Sequence, residues 1–201
     1  MIQVRKAMDS RAVRTNHDRG LQQLRRGLLD PAAATRPAGE RLAAVLVPIF
    51  ELSGDLHLLY IQRSEQVSHR GQIAFPGGRV DPEDRSPMAA ALREAQEEVG
   101  IEPGAVEVLG AFPGMRTATT GILVASFAGL IPWPMSLRAN PLEVADIFSV
   151  PLPVLRDPRY RQVYSWQRHG LEWRFPAIIY GNRAIWGLTY RITLSLLEIM
   201  E

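Results

Sequence analysis

The chain of 201 residues contains no cysteine. That excludes disulfides, thiol nucleophiles, Cys-ligated zinc and iron–sulfur clusters together. Lysine is almost absent as well: of 23 basic residues, 22 are arginine and the one lysine is Lys6. A P-loop lysine or a Schiff-base lysine elsewhere in the chain is therefore ruled out. No apolar run approaches the roughly 18 residues that a membrane span requires. The start of the chain mixes Arg5, Lys6, Asp9 and Arg11 with no apolar stretch behind them, so it does not read as a secretory signal. A cytoplasmic protein with no membrane partner is the expectation. The four histidines, at 17, 57, 69 and 169, form no ligand spacing.

What is present fits an ordinary globule, with 46% hydrophobic and 22% charged residues. The net charge of +2 is unevenly spread: residues 1–41 hold nine basic against four acidic side chains, and the remainder 14 against 17. A basic stretch suits a polyanion, but no aromatic side chain is interleaved to stack on bases, which argues against nucleic acid. It reads more simply as a solvated helical segment, residues 1–35, packed on a domain of residues 36–201.

Leu21, Leu24 and Leu28 recur at helical spacing and Pro31 ends that helix, with a Pro/Ala-rich connector over Asp30–Ala38. Leu42–Phe50 and Asp55–Gln62 read as strands of a hairpin turning at Ser53-Gly54. Further strands are predicted at Val106–Phe112, Ile122–Ile131, Arg161–Trp166 and Leu171–Phe175. Leu152–Leu155 is predicted as one helical turn, and a last helix runs from Arg183 to Met200. Strands and helices mix without regular alternation, which predicts a mixed sheet flanked by helices, an α/β (α+β) fold, rather than a parallel Rossmann sheet.

The segment Pro87–Gly100 breaks local rules. Its ends are clear: Ser86 caps, Pro87 suits the first turn and Gly100 the left-handed exit. Met88, Leu92, Ala95 and Val99 share a face that should meet the core, with Glu94, Glu97 and Glu98 on the opposite side beside the small Ala90 and Ala91. Glu94 and Glu98 are a like-charge i,i+4 pair, unfavourable by about a few tenths of a kcal/mol. All three acids also lie where the helix dipole favours cations, at a cost of about 0.3–1 kcal/mol each. Arg93 can pair with Glu97, but no basic residue stands three or four places from both Glu94 and Glu98. An exposed helix tolerates these penalties. A divalent cation removes them, and clustered oxygen donors without His or Cys select hard ions, Mg²⁺ first, then Mn²⁺ or Ca²⁺. The preceding loop Phe75-Pro76-Gly77-Gly78 permits close backbone approach to a ligand, and Asp81, Glu83 and Asp84 add further acids.

Gly78, Asp84 and the run Arg93-Glu94-Ala95-Gln96-Glu97-Glu98-Val99-Gly100 resemble the signature of the Nudix hydrolases. The helix half matches without gaps; the spaced acid is Asp rather than Glu and stands one residue further from the arginine. Arg63-Ser64, Gly71–Gly78, Thr120-Gly121, Asn140–Val144, Val150-Pro151-Leu152 and Ile185–Thr189 resemble, in that order, one branch of the family, the coenzyme A diphosphatases. Asn140–Glu143 reads equally as a helix start with a capping box, and Trp186 as a core residue. The resemblance implies an α/β/α sandwich with a mixed central sheet. It also implies hydrolysis of coenzyme A to 3′,5′-ADP and 4′-phosphopantetheine with Mg²⁺ or Mn²⁺. Glu94 and Glu98 are then the expected metal ligands, with Glu97 a third, and Arg93 orients the glutamates. Glu97 or Glu143 takes the proton from water, and Arg63, Arg70, Gly77 and Gly78 meet the substrate. Another nucleoside diphosphate such as ADP-ribose or NADH, and a non-catalytic nucleotide sensor, are the alternatives; a homodimer is left open.

Overall fold

The computed structural model describes residues 10–34, 40–67, 70–118, 120–168 and 171–201, with side chains from residue 17 onward and without that of residue 168. His69, His169, Lys6 and the expected boundary at 35/36 lie outside the described residues. The expected hairpin joins β1 (Leu42–Leu52) to β2 (Asp55–Arg63), with Ser53 and Gly54 both at positive φ, 54° and 86°, as a tight two-residue turn demands. β3 (Ile73–Ala74) pairs with the end of β2, and β4 (Gly77–Arg79) with the start of β1. After the helix α2 (Pro87–Val99) come β5 (Glu107–Ala111), β6 (Met115–Arg116) and β7 (Leu123–Leu130). β7 pairs in parallel with β1 and antiparallel with β5 and β6, so the sheet is mixed.

β1 is buried on both faces, which is why it reads as a continuous apolar run rather than an alternation. Val47 and Ile49 face one core and Leu46 and Phe50 the other. The first core is closed by α1 (Ser10–Gly27) through Leu24, by α3 (Leu152–Arg156), and by α4 (Gly187–Ile199) through Ile192 and Leu196. The second is closed by α2 (Pro87–Val99) through Ala95 and Val99. Helix, sheet and helix layers form the expected α/β/α sandwich. Among the described residues, no helix is long and apolar enough to cross a membrane.

Three elements differ from expectation. The last helix does not begin at Arg183: Arg183–Trp186 form β11 against β10 (Leu171–Tyr180), and Gly187, at φ 64°, makes the break before α4. β8 (Val144–Pro151), unpredicted because both of its faces are partly covered and it lacks alternation, pairs with β2. Asn140–Glu143 is a turn and not a helix start; Asn140 Oδ1 accepts from the Leu142 amide at 3.2 Å and the chain runs directly into β8. β9 (Arg161–Arg168), β10 and β11 make a separate small sheet.

Candidate active site

The ends of α2 form as its sequence dictates. Ser86 Oγ accepts from the Ala89 amide at 3.1 Å, Pro87 occupies the first turn, and Gly100 takes the left-handed exit at φ 77°. The buried face, however, is not centred on Met88 and Leu92. It is centred on Ala91 and Ala95, and Ala90 and Glu98 are buried with them. Small side chains let the helix lie close to the sheet, and that closeness draws Glu98 inward to 2% exposure.

Glu98 is held rather than merely trapped. Its Oε2 accepts from the Gly77 amide at 2.8 Å, and its Oε1 lies 3.6 Å from Arg63 at the end of β2. Arg63 is the cation that helical spacing could not supply, because it arrives from a strand. Burial pushes the Glu98 carboxyl up to about 7, against the Gly77 and Arg63 contacts and with the help of the charges on Glu94 and Glu143. Burial also raises Glu94, whose carboxylate is paired with Arg93 and lies near the charges of Glu97 and Glu143. A Cβ on Gly78 would stand 2.5 Å from both Glu94 carboxylate oxygens, so any side chain there would push the Glu94 carboxylate aside.

Arg93 organises the acids around it. It grips Asp84 with two bonds, Nε to Oδ1 and Nη2 to Oδ2, each 3.1 Å, and reaches Glu94 Oε1 and Glu97 Oε2 at 3.0 Å. The arginine holds the Asp84 carboxyl below the usual carboxylate range. Asp84 in turn accepts from the Asp81 amide at 2.8 Å, which closes the loop onto the helix. This anchoring role was not legible in the sequence, since eight residues lie between the partners and they share no helical face.

Other expected residues arrive through the backbone. Ser64 donates its amide to the Glu143 carbonyl at 2.8 Å and its hydroxyl to the Leu142 carbonyl at 2.6 Å. The Asn140 amide donates to the Glu98 carbonyl at 2.9 Å. Half-buried Glu143 is thereby fixed beside the end of β2, within electrostatic reach of Glu94 and Glu98. Glu97 is 55% exposed on the outer side of the cluster. Arg70 is exposed in the turn before Gly71, and among the described residues no hydrogen bond or ion pair joins it to these acids.

The donor set consists of carboxylate oxygens that repel one another, which suits a hard dication. Among the described residues no three acids or histidines converge closely enough to cage an ion alone. Mg²⁺ commonly takes one or two carboxylates and completes its shell with water and substrate phosphate.

The NUDIX domain family matches residues 40–173 of the chain. The uncharacterized Nudix hydrolase NudL of Photorhabdus laumondii is 39% identical over 173 residues, covering 86% of this chain and 92% of the relative. The protein of the same name from Citrobacter koseri is 42% identical over 164 residues, covering 81% and 84%. In fold, a MutT/nudix family protein from Enterococcus faecalis superposes with TM-score 0.51 at 16% identity, covering 94% of this chain and 73% of that one.

Proposed function

The chain belongs to the Nudix hydrolase family, and from that premise we propose that this pyrophosphohydrolase cleaves the diphosphate of coenzyme A into 3′,5′-ADP and 4′-phosphopantetheine. We assign the reaction to the cytoplasm. Glu94 and Glu98 would hold Mg²⁺ or Mn²⁺, and Glu97 would serve as a third ligand once its carboxylate leaves Arg93. The metal, when bound, neutralises the diphosphate and polarises its phosphorus toward water.

The other residues bind, orient and move a proton. Arg93 spans Asp84, Glu94 and Glu97 and so fixes the carboxylates relative to the loop. Gly77 and Gly78 would meet the substrate from beside the Glu98 and Glu94 carboxylates. Arg63 and Arg70 offer guanidinium groups to those oxygens, Arg63 from the buried side and Arg70 from the exposed turn. Glu143 is the better placed of the two candidate bases, since Glu97 is bound to Arg93 while Glu143 lies within electrostatic reach of Glu94 and Glu98 from the turn before β8. We assign the basic stretch 1–35 as an appendage to a catalytic domain of 36–201; of it, α1 packs on the core through Leu24.

One observation carries the reading. The segments that resemble the coenzyme A branch, Arg63-Ser64 and Asn140–Glu143, lie far apart in sequence yet are bonded to each other and to Glu98 at the end of α2. A substrate panel with product identification tests it. Coenzyme A is expected to be cleaved in preference to ADP-ribose, NADH and nucleoside triphosphates; a tenfold preference for ADP-ribose would overturn the coenzyme A assignment.

A further inference from the structure

β9 and β10 pair along their length, but β11 covers only Ala177–Tyr180 of β10. Residues 171–176 thus belong to a two-stranded ribbon whose outer edge pairs with no strand among the described residues. Such a ribbon is marginally stable alone in water. It also carries exposed apolar side chains: Val163 at 59%, Leu171 at 60% and Trp173 at 48%. The register Trp173↔Trp166 and Phe175↔Tyr164 gathers these four rings on one face, and Trp186 extends it, 4.8 Å from Phe175.

Pro176 reveals which backbone groups the open edge presents. A proline has no N–H, so its nitrogen faces away from the strand it is paired with. Pro176 stands opposite Val163 of β9, so that nitrogen faces the open edge. By the two-residue repeat of a strand, Glu172 and Arg174 direct their N–H and C=O groups to the same edge.

The segment Leu171-Glu172-Trp173-Arg174-Phe175 is its own complement. Laid antiparallel on a second copy about a twofold axis through Trp173, Glu172 of each copy falls opposite Arg174 of the other. These are the residues whose backbone groups face outward, so each such pair exchanges two backbone hydrogen bonds and one ion pair. Trp173 meets Trp173, and Leu171 meets Phe175, all on the aromatic face. We propose that this edge is the interface of a homodimer in which the two small sheets join into one. Against a foreign strand the Glu172 and Arg174 charges guard the edge; against its own copy they pair, and the twofold contact closes without leading to a fibre.

Sedimentation equilibrium of the full chain is expected to show a dimer that dissociates on dilution. Glu172→Arg and Arg174→Glu each place two like-charge pairs in the interface and should weaken dimerisation tenfold or more while the circular dichroism spectrum is unchanged. Mixed one to one, the two variants should recover a heterodimer, because every pair is again of opposite sign; the double variant E172R/R174E should recover a homodimer. A wild-type chain monomeric up to about 100 μM, single variants that dimerise like the wild type, or folded variants that fail to associate when mixed would each overturn the proposal.

Discussion

Replacing Glu98 by Gln removes a carboxyl that the fold holds at about 7, against an ordinary 4.5. A carboxyl raised in the folded state binds its proton more tightly there than in the unfolded chain. Its contribution is therefore fully present below about pH 4.5 and is lost as the pH rises through about 7. A rise of that size corresponds to about 3 kcal/mol at the limit, of which about 2–3 kcal/mol is realised between pH 5 and pH 8.5. The glutamine does not titrate and its carbonyl still accepts from the Gly77 amide, so constant effects of the substitution cancel when the two pH values are compared. With chelator present, urea unfolding should show the variant gaining about 2–3 kcal/mol on the wild type from pH 5 to pH 8.5. In a chain of this size that is about 5–10 °C in Tm. An equal difference at both pH values would refute the claim that Glu98 is ionised at a cost to the fold.

Mg²⁺ should raise the wild-type Tm more at pH 8.5 than at pH 5.5, since it competes with the proton on Glu98; a pH-independent shift in thermal melts would contradict this. Gly78→Ala pushes a methyl group against the Glu94 carboxylate, so steady-state kinetics should show a tenfold or larger loss of kcat/KM with Tm almost unchanged; full activity would show that the close approach is unimportant. Asp84→Asn removes the charged partner from the two-bond grip on Arg93. It should cost about 1–3 kcal/mol in urea unfolding at pH 7. The loss should shrink as the pH falls through the depressed carboxyl value, because Asp84 stabilises the fold only while ionised; a pH-independent cost would count against the assignment.

The sequence made α2 legible because its signals are local: a capping serine, a proline in the first turn and a glycine at the exit all act within a few residues of the helix ends. The pairing of Arg93 with Glu97 was legible for the same reason. The inward turn of Glu98 was not, because it follows from how near the alanine face lets α2 come to the sheet, and that is a property of packing. Arg63 and Asp84 reach the acids from a strand end and a loop, where no periodicity marks them. The last helix was extended too far because Ile185 and Leu188 fit one helical stripe, while the pairing of Ile185 with Ile178 on β10 decides the matter. Expected strands at 161–166 and 171–175 are present and run longer, their alternation of aromatic and polar residues being the strand period itself.

Binding of Mn²⁺, followed by the loss of its free-ion electron paramagnetic resonance signal, tests most directly whether the α2 carboxylates gather a dication. The wild-type chain should bind the ion with an affinity that rises from pH 6 to pH 8, and Glu98→Gln should bind at least tenfold more weakly while unfolding at no lower temperature. Binding that is unchanged in this variant would place the metal elsewhere and contradict the account.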